Sequence, residues 1–168
     1  MQDNKRPVLG LAVTGLLAAL AMALSFLEGL LPVLPIPGAR LGLSNLATMT
    51  ALSLFGLPAA LGVTAVKALF ALLRGGAAFW MSLAGGLLST LVMAACFRFF
   101  SRRVGLIGTG ILGAVAHNSG QLLAAMLLFD TALLYYAPFL LLAAVVAGTL
   151  TGLVLQLVFP KLHTLLKG

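Results

Sequence analysis

Apolar stretches of about twenty residues recur along almost the whole chain, broken by glycine, proline or charge. A run of that length is what a helix needs to cross a hydrocarbon core of about 30 Å. Five are evident: Val8–Leu31, Leu57–Leu73, Trp80–Phe100, Val104–Phe129 and Tyr135–Phe159. A sixth, Leu43–Phe55, is uncharged but short; it either re-enters or crosses as a short tilted helix enclosed by protein, and crossing is the favoured expectation. The stretch Phe55-Gly56-Leu57-Pro58 after it reads as a tight turn, with Pro58 at the first position of the next helix. With 62% hydrophobic residues and 8% charged, little chain remains for a soluble catalytic domain. The expected fold is therefore an all-α integral membrane protein, one transmembrane domain over 1–168 with six helices.

Basic residues set the expected orientation. With the N-terminus in the cytoplasm, six crossings place Lys5, Arg6, Arg98, Arg102, Arg103, Lys161 and Lys167 inside, and only Arg40 and Arg74 outside. Five crossings would move the C-terminal lysines across and weaken that bias, so both ends are expected on the cytoplasmic side of a bacterial cell membrane, the chain passing it many times. A cleaved signal peptide ending near Ala21-Met22-Ala23 is the competing reading of the first span. It is disfavoured by the length of the run and by the parity of charge.

Several function classes fall away. The acids are Asp3, Glu28 and Asp130, too few and too dispersed for a carboxylate-clustered magnesium or calcium site. The single Cys96 excludes an intrachain disulfide and any cysteine metal cluster. A formal charge of +7 is scattered between apolar spans instead of forming a stripe, so no nucleic-acid partner is expected. There is no GxxxxGK[ST] loop, no HExxH and no serine or cysteine nucleophile in a recognisable motif. The expectation is a protein that is not an enzyme, with no cofactor and no metal. Gly75-Gly76 and Gly85-Gly86 read as helix ends and close packing.

Polar groups in hydrocarbon are costly, so the few present point to a site. Glu28 ends the first helix, Arg40 lies in the stiff loop of Pro32, Pro35, Pro37 and Gly38, and Asn45 opens the second helix. Lys67 lies toward the outer end of the third, with Arg74 seven residues later on roughly the same face. His117 and Gln121 are four apart on the fifth helix, with Asn118 beside them. Together they are expected to line or gate one outward-facing pocket, where an excess of cations suits a small anionic or amphiphilic ligand. Each has a plainer role: Arg40 and Arg74 as headgroup anchors, Lys67 as a partner for Glu28, and the fifth-helix group as interhelical glue. Phe79 and Trp80 either face an apolar part of the pocket or anchor at the lipid interface. The first helix also carries small residues at helical spacing, Gly15, Ala19 and Ala23, which let another helix approach, inside this bundle or in a separate subunit.

These residues carry a family resemblance. Pro35-Ile36-Pro37-Gly38-Ala39-Arg40-Leu41-Gly42-Leu43-Ser44-Asn45 and His117-Asn118-Ser119-Gly120-Gln121 look like the two signatures of the Gx transporter family, often labelled heptaprenyl diphosphate synthase component I. The run from Gly15 to Ala21, followed by Glu28 and Pro32, also fits, and the resemblance covers essentially the whole chain. The chain is also similar to the substrate-binding S components of energy-coupling factor (ECF) vitamin importers, six-helix proteins with a ligand pocket near the outer face. That likeness implies a membrane coupling subunit and cytoplasmic ATPases as partners, contacted through Ala12, Gly15, Ala19 and Ala23. It implies a vitamin- or flavin-like ligand, or an isoprenoid- or quinone-related one. The other label implies a non-catalytic membrane subunit scaffolding a polyprenyl diphosphate synthase or a quinone or redox assembly.

Overall fold

The structure, a computed structural model, describes residues 5–30 and 42–167. Among them are six α-helices and no strand: α1 Lys5–Leu30, α2 Asn45–Phe55, α3 Leu57–Ala71, α4 Gly76–Phe99, α5 Gly105–Leu128 and α6 Ala137–Lys167. Short 3-10 turns, Leu72–Arg74 and Thr131–Tyr136, precede α4 and α6. Five helices are long and apolar enough to cross a membrane, and α2 is the shorter exception. The Leu, Ala and Met that fill most of these segments favour helix, and threonines such as Thr14, Thr50 and Thr90 bond back to the carbonyl four residues earlier without ending it.

Local chemistry sets the breaks. Gly56, at φ 82°, is the single residue between α2 and α3, and Pro58 is the second residue of α3 where the first was expected. The Asp130 carboxylate accepts the Ala132 N–H at 2.9 Å and so caps the 3-10 turn before α6, away from any buried cluster. Two helix bounds differ most from the sequence expectation. α4 starts at Gly76, four residues before Trp80, because Gly75 at φ 119° ends the preceding turn and the small residues Gly76–Ala78 join the helix. α6 runs through Pro160 to Lys167 instead of stopping at Phe159. Proline removes one hydrogen bond without having to end a helix, and Phe159, packed on the core just before it, keeps α6 on course.

α2 sits in the middle. Its eleven residues span only about 16 Å, half a hydrocarbon core, yet it packs against every one of the other five helices. Ala47, Met49, Ala51 and Leu52 of α2 join Leu17, Ala18 and Ala21 of α1, Ala60 and Val63 of α3, Met93 of α4 and Leu155 of α6 in one core. Enclosure by protein is what lets so short a helix lie among longer ones. α4 meets α5 where Gly85 faces Gly120: a β-carbon on Gly120 would stand 2.8 Å from the Ala84 carbonyl oxygen. Such contacts bring the two backbones as close as helices approach.

α1 turns Leu17, Ala18, Ala21, Ser25 and Glu28 inward. Ala12, Gly15, Ala19 and Ala23 lie on its exposed side, and a β-carbon on Gly15 would meet nothing within 4 Å. Among the described residues the small-residue face is thus not used for packing.

Candidate functional site

The costly polar groups gather where α1 ends, α2 begins and α3 ends. The Leu43 N–H donates to Oε1 of Glu28, tying the end of α1 to the entry of α2. Lys67 of α3 donates from Nζ to Oδ1 of Asn45 at 3.2 Å. Glu28 is 5% exposed, Asn45 2% and Lys67 1%, so these groups have left water entirely. Lys67 and Arg74 are the cations whose fields act on the Glu28 carboxylate. From the facing side, α5 contributes His117 and Gln121, whose Nε2 atoms lie 3.0 Å apart.

Gly42 is the hub. Its φ of 92° is left-handed backbone that favours glycine. A β-carbon there would lie 3.1 Å from Asn45 Nδ2 and 3.4 Å from the His117 ring, so α2 and α5 converge on its bare Cα. Its carbonyl also accepts the Asn45 N–H at 2.9 Å, starting the first turn of α2. Gly42→Ala is expected to lower stability by about 1–3 kcal/mol through left-handed strain and the push on Asn45. Chemical unfolding in mild detergent measures this; an unchanged midpoint would show that the site does not depend on the turn.

Several buried polar atoms in and around this cluster meet no hydrogen-bond partner: Glu28 Oε2, Asn45 Nδ2, Thr48 Oγ1, Ser89 Oγ, His117 Nδ1 and Asn118 Oδ1. The Gly42 backbone lies close to the Glu28 carboxylate, and that of Gly85 close to the His117 ring, without a well-aligned bond to either orphaned atom. Each unmatched group costs on the order of 1–3 kcal/mol. So many unmatched atoms leave the polar demand of this cluster unmet among the described residues.

The predicted residues separate by place. Glu28, Asn45, Lys67, His117 and Gln121 come together. Asn118 turns toward α6, donating to the Leu140 carbonyl at 2.8 Å, which is the interhelical glue role. Arg74 does not share the buried face of Lys67: α3 ends at Ala71, and the 3-10 turn carries Arg74 to an exposed rim, still within the field of Glu28. Arg40 lies outside the described residues. Among the described residues the buried cluster holds one cation, Lys67, and one carboxylate, Glu28, with Arg74 at the rim. Trp80 is 55% exposed and meets Phe79 edge-on with ring centroids 5.1 Å apart, a placement that suits an interfacial anchor.

A second polar tier was missed from the sequence. Ser25, Thr48 and Thr64 are buried, and each lies three residues from Glu28, Asn45 or Lys67, one turn further into the bundle. Thr64 and Thr90 join hydroxyls at 2.9 Å between α3 and α4. The three-residue spacing from a costly charge or amide was the available signal. Gly42 stands in the Pro35–Asn45 signature, but nothing there assigned it a role.

Comparison with known proteins adds a family. The family model described as heptaprenyl diphosphate synthase component I matches residues 17–158, from the middle of α1 to near the end of α6. Neither curated proteins nor solved structures give a match to the chain.

Proposed function

The chain belongs to the heptaprenyl diphosphate synthase component I family, and from that premise we propose that it is a non-catalytic, membrane-embedded substrate-binding subunit of an ECF-type importer. The carrying observation is the buried cluster of Glu28, Asn45, Lys67 and His117 with its unmatched polar atoms, set within an apolar helical bundle. In this reading a small amphiphilic molecule puts its polar part against that cluster and its apolar part against the surrounding helices. Both chain ends face the cytoplasm, which puts the cluster in the outer half of the membrane. The exposed face of Ala12, Gly15, Ala19 and Ala23 meets a coupling subunit, and ATPases on the cytoplasmic side supply the energy.

The family's description favours one other reading, a membrane subunit that scaffolds a separate polyprenyl diphosphate synthase or a redox assembly. Catalysis of prenyl elongation by this chain is no part of it, since three dispersed acids do not make a magnesium-diphosphate site. Gentle purification from the native membrane followed by native mass spectrometry separates the two. The importer reading expects a stoichiometric small molecule together with a membrane coupling chain and ATPases. An empty protein that brings down a prenyl synthase or redox enzyme overturns it in favour of the scaffold.

A further inference from the structure

We propose that the end of the bundle carrying the α2–α3 turn holds one anionic phospholipid, its phosphate on Arg98 and one acyl chain in a groove beside α4. The groove follows from unequal helix lengths. α3 and α4 join at Gly75, but α3 with its 3-10 turn has 18 residues and α4 has 24, so the last turns of α4 run about 9 Å past Gly56. That step leaves an open groove of about 540 Å³, with Leu52, Gly56 and Leu57 on one wall. The other wall is a stripe of α4, where Leu91, Ala94, Ala95 and Arg98 share one helical face. The two alanines keep the groove open, while Leu57, Leu91 and Phe99 are exposed apolar rims.

Charge names the occupant. Arg98 is exposed in the last turn of α4 and makes no hydrogen bond or ion pair among the described residues. It is the one charged group lining the groove. Arg102 and Arg103 follow it before α5, whereas the acids of the described residues, Glu28 and Asp130, lie where α1 and α5 end, at the opposite end of the bundle. A headgroup phosphate supplies the missing anion, and an acyl chain suits an apolar groove that opens sideways onto hydrocarbon. A polypeptide fits less well. The groove holds little more than one turn of a helix about 10 Å across, and an extended segment would bring backbone polar groups that only Arg98 could match. With this basic end inward, the site faces the cytoplasmic leaflet, where anionic lipid attracts basic residues. The site depends on helix lengths and charge alone, so it exists whether the chain serves an importer or a scaffold.

The test is native mass spectrometry of the full chain in mild detergent, offered phosphatidylglycerol and phosphatidylcholine of identical acyl chains in competition. One phosphatidylglycerol per chain should be retained, preferred about tenfold over phosphatidylcholine, the effect of one hydrogen bond to a charged group. Arg98→Gln, at an exposed position, should abolish most of that preference. Arg102→Gln removes the same charge from the same end but outside the groove, and should change the preference less than about threefold. Ala95→Phe fills the groove and keeps Arg98, so retention of either lipid should be lost; Ala94 is spared because it packs on the core. No retained lipid, equal retention of the two, an equal loss of preference in Arg98→Gln and Arg102→Gln, or retention unmoved by Ala95→Phe overturns the proposal. So does a polypeptide, in place of lipid, cross-linked in native membranes through a photoreactive residue at position 95.

Discussion

Lys67→Met should destabilise the protein by about 1.5–3 kcal/mol, because it removes the charged donor of a buried hydrogen bond to Asn45 and a positive field acting on the Glu28 carboxylate. Lys67 is 1% exposed and Glu28 5%, so the variant strands a carboxylate that has exchanged water for backbone N–H groups and the field of its neighbours. Methionine matches the length of the lysine stem, so little of the loss is a packing defect. Glu28→Gln/Lys67→Met should recover most of the stability, because no charge is left inside to compensate. The measurement is a double-mutant cycle by denaturant titration in mild detergent, and the two substitutions should couple by about 2 kcal/mol or more. Additive losses would mean that the two residues do not stabilise one another.

The second large effect is expected at the α4–α5 crossing. Gly120→Ala places a β-carbon 2.8 Å from the Ala84 carbonyl oxygen and 2.8 Å from the Gly85 Cα. Both obstacles are backbone, so no side chain can rotate aside and the helices must part. Overpacking of this kind costs about 3 kcal/mol. The damage reaches the site, because His117 and Gln121 crowd Gly85 from the same α5 surface. Leu123→Ala, on the exposed side of α5, serves as the control and should cost less than about 1 kcal/mol. Equal losses at the two positions would refute close backbone approach as the organising contact.

Much of this was legible in the sequence, and the reasons differ by residue. The long helices announce themselves because hydrocarbon tolerates nothing else over twenty residues. Glu28 and Lys67 stand out because a charge in an apolar span demands a partner, and Lys67 finds its hydrogen bond on Asn45. Arg74 misled, since a seven-residue spacing carries a side chain to the same face only while the helix continues, and α3 ends at Ala71. The last span was expected to end at Phe159, whereas α6 continues through Pro160 to Lys167. Asn118 sits beside His117 in sequence, yet one step along a helix turns a side chain by about 100°, enough to aim it at α6. Gly42 was illegible because its role rests on a φ angle and on what lies over its bare Cα, neither of which a residue name conveys.

The enclosure of α2 also bears on how the molecule is made. A segment of about 16 Å bearing Asn45, Thr48 and Thr50 is a poor candidate for entering a membrane alone. Only the single residue Gly56 separates it from α3, so the two enter as a hairpin, with the longer α3 supplying the apolar length. Until α4, α5 and α6 emerge, the faces of α2 that they later cover stand open to lipid. The centre of the finished bundle is thus an early-made piece sealed last, and a chain halted after α3 would present buried threonines to the bilayer. Membrane quality control would therefore find its target in α2, the helix that the completed protein hides most fully.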